Sequence, residues 1–339
     1  MAPRDRRLGR WILWGLVGLV LASLFAGVVV GPVTIPVGDA FASLFGGGRE
    51  SVSAVHRVIV NQIRLPRVLL GLLVGSALAV SGVAMQGLFR NPLASPYVLG
   101  IASGASTGAA LAILFASGSV FFLPLGAFVG ATAAVLIVYG LARGRDRRTS
   151  IFTLILAGVA VGALFSAVTS FLIFLSSGGE RLSDVLFWIM GGLGRANWSS
   201  IAILAPIIGV GIAAVFFFAR DLNALSLGEE GAFHIGVNPD TLTRWLLGTT
   251  TLLTAAAVAI AGTIGFIGLV IPHVMRLLVG PDHRRLIPVS ALAGGCFLVW
   301  SDVAARTVFA PAELPVGVIT AFLGAPFFLY LLKTRGAKL

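Results

Sequence analysis

The chain has 339 residues, 58% of them hydrophobic and 11% charged, with a mean hydropathy of +1.01, which excludes an ordinary soluble globular domain. A net charge of +11 rests on 22 arginines and two lysines dispersed through the connecting segments, the pattern of membrane topology and not of a nucleic-acid-binding face. The single cysteine, Cys296, excludes an internal disulfide and a cysteine-cluster metal site.

The first apolar run, 11–31, holds about twenty residues without a charge, enough at 1.5 Å per residue to cross a hydrocarbon core of about 30 Å. No A-x-A-like cleavage site closes it, so an uncleaved first span is expected. Further runs follow at 64–86, 98–117, 120–142, 150–175, 199–219, 243–263, 265–279, 286–305 and 315–332. The fold class expected is an all-α polytopic membrane protein of about ten transmembrane helices, with 1–339 forming a single transmembrane domain. The third and eighth runs are short or interrupted by glycine. Glycines four apart (Gly71 and Gly75, Gly104 and Gly108, Gly126 and Gly130, Gly158 and Gly162) let helix backbones approach closely in lipid. In "GTIGFIG", 262–268, glycines three apart predict a break inside the membrane.

The lysine and arginine bias sets the orientation. With the N-terminus in the cytoplasm, sixteen of the 24 basic residues fall on inside segments and seven outside, and an even number of spans places the C-terminus inside as well. Segment 220–243 is then cytoplasmic. Read as two short helices stopped by glycine and "NPD", it carries an apolar face of Leu222, Leu225, Leu227, Ala232 and Ile235. A solvated loop needs no such face, so a docking surface for another protein is expected. On the outer side, Arg64 and Arg67 flank Pro66 at the expected start of the second span, and Arg306 lies one helical turn from Asp302. Interfacial snorkelling and bidentate docking of a soluble partner's carboxylates account for these arginines equally well.

Charges within the spans are too few for a proton relay, and no arginine repeat suggests a voltage sensor. The four histidines lack ligand spacing, so no metal site is expected. Neither lysine follows a glycine-rich phosphate loop. The chain is therefore expected not to be an enzyme, and active transport would draw its energy from a partner.

Five segments taken in order carry a resemblance: "RLPRVLLGLLVGSALAVSGVAMQGLFRNPLASPYVLGIASGAS" (64–106), "WIMGGLG" (188–194), "LNALSLGEEGAFHIGV" (222–237), "GFIGLVIPHVMRLLVGPDHRRLIP" (265–288) and "AELPVGVITAFLGAPFFLYLL" (312–332). Together they resemble the FecCD-type permeases of ABC importers for ferric siderophores, haem and cobalamin. The resemblance implies a ten-helix permease of the prokaryotic cytoplasmic membrane that pairs with a second copy, the solute path lying between them. It also implies two cytoplasmic ATPase subunits, which hold the ATP and magnesium, and an extracytoplasmic substrate-binding protein. The ATPase-coupling residues it points to are Leu222, Leu225, Leu227, Gly228, Glu229, Glu230, Ala232, Ile235 and Gly236. Phe233 and His234 stand where relatives often carry a more polar pair. Arg64, Arg67 and Arg306 match binding-protein docking positions, and Thr149 and Ser150 match an inner gate. Ser166, Thr169 and Ser170 are candidates for the pathway and equally for helix packing. The resemblance implies no cofactor in this chain. Haem or a ferric siderophore is the first substrate expectation, cobalamin the next, with an oxyanion also open. An ion-coupled secondary transporter and a channel are the competing classes.

Overall fold

The computed structural model describes residues 3–46, 52–116, 121–143, 150–176 and 179–335. Among them there is no β-strand. Helix α1 (Pro3–Val29) is followed by the short α2 (Val37–Phe45) and α3 (Ala54–Val58); a π-helical turn (Ile59–Arg64) then leads into α4 (Leu65–Leu88). Beyond a 3-10 turn at Pro96–Leu99 come α5 (Ile101–Phe115), α6 (Phe122–Ala142), α7 (Ile151–Leu175), α8 (Glu180–Met190) and α9 (Trp198–Phe217). Two short helices, α10 (Ala219–Leu225) and α11 (Glu229–His234), precede α12 (Pro239–Ala261), α13 (Ile267–Val279), α14 (His283–Thr307) and α15 (Val316–Arg335).

Among the described residues seven helices are long and apolar enough to cross a membrane, and three shorter apolar ones (Ile101–Phe115, Ile267–Val279, Val316–Tyr330) bring the set to the ten expected runs. Pro66 does not open its helix as expected. The chain is already helical from Ala54, and the π-helical turn lies just where the proline's missing N–H removes an intrahelical bond.

Burial ranks the helices. The spans of α4, α12 and α14 are mostly buried, while few residues of the α1, α7 and α9 spans are buried. The centre closes because glycines face backbone: Gly75 lies against Gly294 and Gly295, Gly82 against Gly268, Gly104 against Gly130, and Gly108 against Gly126. A Cβ at any of these would collide with a facing main chain, so the packing in lipid rests on these absences.

The break expected at 262–268 is present, from the end of α12 to the start of α13, with Gly262 and Phe266 at positive φ. Thirteen-residue α13 reaches only about 20 Å. Non-helical backbone at such depth must be buried in protein with its polar groups paired. Here the Tyr97 hydroxyl donates to the Ile264 carbonyl at 2.9 Å and accepts from the Ile264 N–H at 3.3 Å, and the Gly192 N–H donates to the Ala261 carbonyl at 2.8 Å.

Candidate functional site

At one end of the bundle, α10 and α11 form a compact hairpin. Gly228 (φ 99°) and Gly236 (φ 88°) make its turns in the left-handed region that favours glycine. Asn238 then caps α12, its side chain accepting from the Thr241 N–H at 3.1 Å, with Pro239 at the first helical position.

The apolar face expected over 222–235 is divided, and this corrects the sequence reading. Leu222, Leu225 and Ala232 are buried against the chain's own bundle, so they cannot be gripped from outside. The exposed apolar residues are Leu227 at 69%, Ile235 at 60% and, outside the expected face, Phe233 at 65%. The turn at 226–228 reverses the chain between the two helices, so a face counted straight through both does not stay on one side. Glu229 and Glu230 are exposed in the first turn of α11, where acids suit the helix dipole. Glu229 also lies 4.0 Å from Arg90, an exposed pair of little energetic weight.

The opposite end holds the three arginines. All are buried, which corrects both expectations for them: they neither snorkel nor present free forks. Arg64 donates to the carbonyls of Val28 (3.0 Å), Val29 (2.7 Å) and Val33, closing the last turn of α1. Arg306 donates to the Gly27 carbonyl at 2.5 Å, and its Nε lies 3.5 Å from Asp302, the pair expected one turn apart. Arg67 places Nε 2.9 and 3.0 Å from the two Asp302 oxygens and Nη1 3.0 and 2.9 Å from those of Glu313. The knot therefore joins α1, α4, α14 and the segment before α15. Only Glu313 is well exposed, at 42% of its side chain.

Residues 19–334 match the FecCD transport family. The chain belongs to that family. It is 48% identical to a cobalamin import system permease protein of Halobacterium salinarum, over 85% of this chain and 76% of the relative. It is 45% identical to a hemin transport system permease protein of Yersinia pestis, over 80% and 81%. A solved inward-facing putative metal-chelate type ABC transporter superposes with a TM-score of 0.85 at 32% identity, covering 96% of this chain and 99% of that one. The chain is thus a multi-pass permease, the transmembrane subunit of an ABC importer, and ATP hydrolysis lies in a separate subunit.

Of the permease's remaining candidates, Thr149 lies outside the described residues. Ser150 caps α7, its hydroxyl accepting from the Thr153 N–H at 3.3 Å. Thr169 turns inward: its hydroxyl lies 2.8 Å from that of Thr107 on α5 and donates to the Phe165 carbonyl, the helix-packing arrangement of the two alternatives expected for it. Ser166 and Ser170 are exposed one turn apart on α7. Among the described residues no group of three or more His, Cys, Asp or Glu is placed to hold a metal ion. Glu313, Asn223 and Asp282 join the functional residues only in the structure. Each is a short-range anchor whose partner lies far away in the chain, and spacing alone gives no signal of that.

Proposed function

We propose that this permease carries a bulky metal chelate, haem or a ferric siderophore, into the cytoplasm by alternating access at the interface with a second copy. In this reading the α10–α11 end faces the cytoplasm and seats the ATPase, and the Arg67–Glu313 end faces outward toward a substrate-binding protein. The termini are then cytoplasmic.

The observation that carries the reading is the exposed trio Leu227, Phe233 and Ile235 on a hairpin otherwise fastened to the bundle. A polar interface has no use for three bare apolar side chains on one short hairpin, whereas a partner helix or groove buries them. The buried carboxylate Asp302 is held between two guanidinium groups, so it supplies no free proton site and the ion-coupled alternative loses support. The relatives support a chelate in general. Cobalamin is the second reading, favoured by the 48% identical relative named for it.

The test is co-purification with the cognate ATPase. Replacing Leu227, Phe233 and Ile235 together with aspartate is expected to abolish the complex while the permease remains folded. Undiminished assembly would rule out this seat. Calorimetry of the cognate binding protein with haem, a ferric siderophore and cobalamin decides the substrate.

A further inference from the structure

The hairpin that carries the exposed trio is fastened to the bundle at one place by a side chain that completes another helix. Asn223, on α10, accepts with Oδ1 from the His283 backbone N–H at 2.9 Å and lies 2.7 Å from His283 Nδ1. Its Nδ2 donates to Asp282 Oδ1 at 2.7 Å, which fixes the orientation of the amide and makes Nδ1 the protonated ring nitrogen. Asp282 in turn caps α14, accepting from the Arg284 N–H at 3.1 Å. A helix leaves its first four N–H groups without internal partners. In α14 one of these is satisfied from a separate element.

On the side that faces α4 the joint is tightly packed. His283 is buried, Leu222 is fully buried, and a Cβ on Gly87 at the end of α4 would stand 2.7 Å from His283 Nε2 and 2.9 Å from Leu222 Cδ2. By contrast, α11 reaches the bundle's polar groups through the long, exposed Arg90–Glu229 pair. A displacement of the hairpin therefore reaches α14 and the end of α4 through buried hydrogen bonds and close packing at α10, whereas α11 meets the bundle through buried Ala232 and its link to α12. From His283 to Asp302, α14 runs as one helix of about 30 Å, close-packed on α4 through Gly75, Gly294 and Gly295. Its far end carries the Arg67–Asp302–Arg306 knot.

We infer that the Asn223–Asp282–His283 joint is the positioning contact that passes hairpin movement to α14, and along α14 to the arginine–carboxylate knot at the opposite end. This rests on the functional reading above and assigns it a load path. Two sites at opposite ends are linked when one element with two arrangements is biased by both; α14 touches both, and α4, packed along it, does so through Gly87 and Arg67.

The test uses the complete importer in proteoliposomes, reading ATP hydrolysis, assembled complex and solute uptake together. His283→Leu keeps bulk and removes the Nδ1 donor. It is expected to leave ATPase assembly and hydrolysis in place while uptake per ATP falls about tenfold, the scale of a typical coupling free energy. His283→Asn puts an amide N–H at the Nδ1 position and is expected to restore the ratio. Should His283→Leu fail to assemble, Asn223→Ala, at a half-exposed position, decides by the same ratio. Uptake per ATP at the unmodified level in Asn223→Ala, or a loss of uptake that only tracks lost complex, would overturn the inference. If the unmodified importer shows no ATP-driven uptake at all, the functional reading fails instead.

Discussion

Arg67 bonds two carboxylates through separate N–H groups of its guanidinium, and the two are not equivalent. Asp302 is buried between Arg67 and Arg306, whereas Glu313 is half-exposed. Asp302→Ala leaves two buried cations with one partly solvated partner and is expected to cost about 3–5 kcal/mol, read as a large drop in the thermal unfolding midpoint in detergent. Glu313→Gln keeps the shape and loses a partly screened contact, for about 1 kcal/mol or less. Equal losses would mean that the knot does not centre on Asp302. Gly228, at φ 99°, is the other sensitive residue. Gly228→Val introduces backbone strain of about 1–3 kcal/mol at the hairpin turn, with loss of ATPase binding expected and bundle stability kept. Of the knot, the sequence shows only the Asp302–Arg306 turn. Arg67 finds its acids 235 and 246 residues further along, and nothing in local spacing announces such a partner.

Helix existence was legible because lipid demands long uncharged runs, and ten of them stand out. Amphipathic α2 and α8 were not, being too short to register as spans and too apolar on one face to read as loops. The α10–α11 hairpin was legible as two helices but not in its facing, since the turn between them decides which leucines point inward. Glycine spacing carried real information about pairing. Gly108 faces the Gly126 backbone, whereas Gly15 on α1 has open space around it. Gly108→Leu is therefore expected to force α5 and α6 apart at a cost of about 1–3 kcal/mol, while Gly15→Leu leaves the unfolding midpoint unchanged. Matching midpoints for the two variants would contradict the close-packing account.

At the scale of the whole molecule, a permease fastened at its centre carries distinct chemistry at each end: bare apolar side chains on a hairpin at one, a charged knot with one exposed acid at the other. The proposed orientation rests on the charge bias and is tested by labelling. With Cys296 buried, a cysteine at Ala312 is expected to react with a membrane-impermeant maleimide on intact cells. One at exposed Ser226 is expected to react only after permeabilisation. The most direct test of the central claim is uptake of labelled chelate by proteoliposomes containing the permease, its ATPase and its binding protein. The account predicts uptake that requires ATP on the hairpin side and disappears without the ATPase. Uptake by the permease alone, driven by a proton gradient, would contradict it.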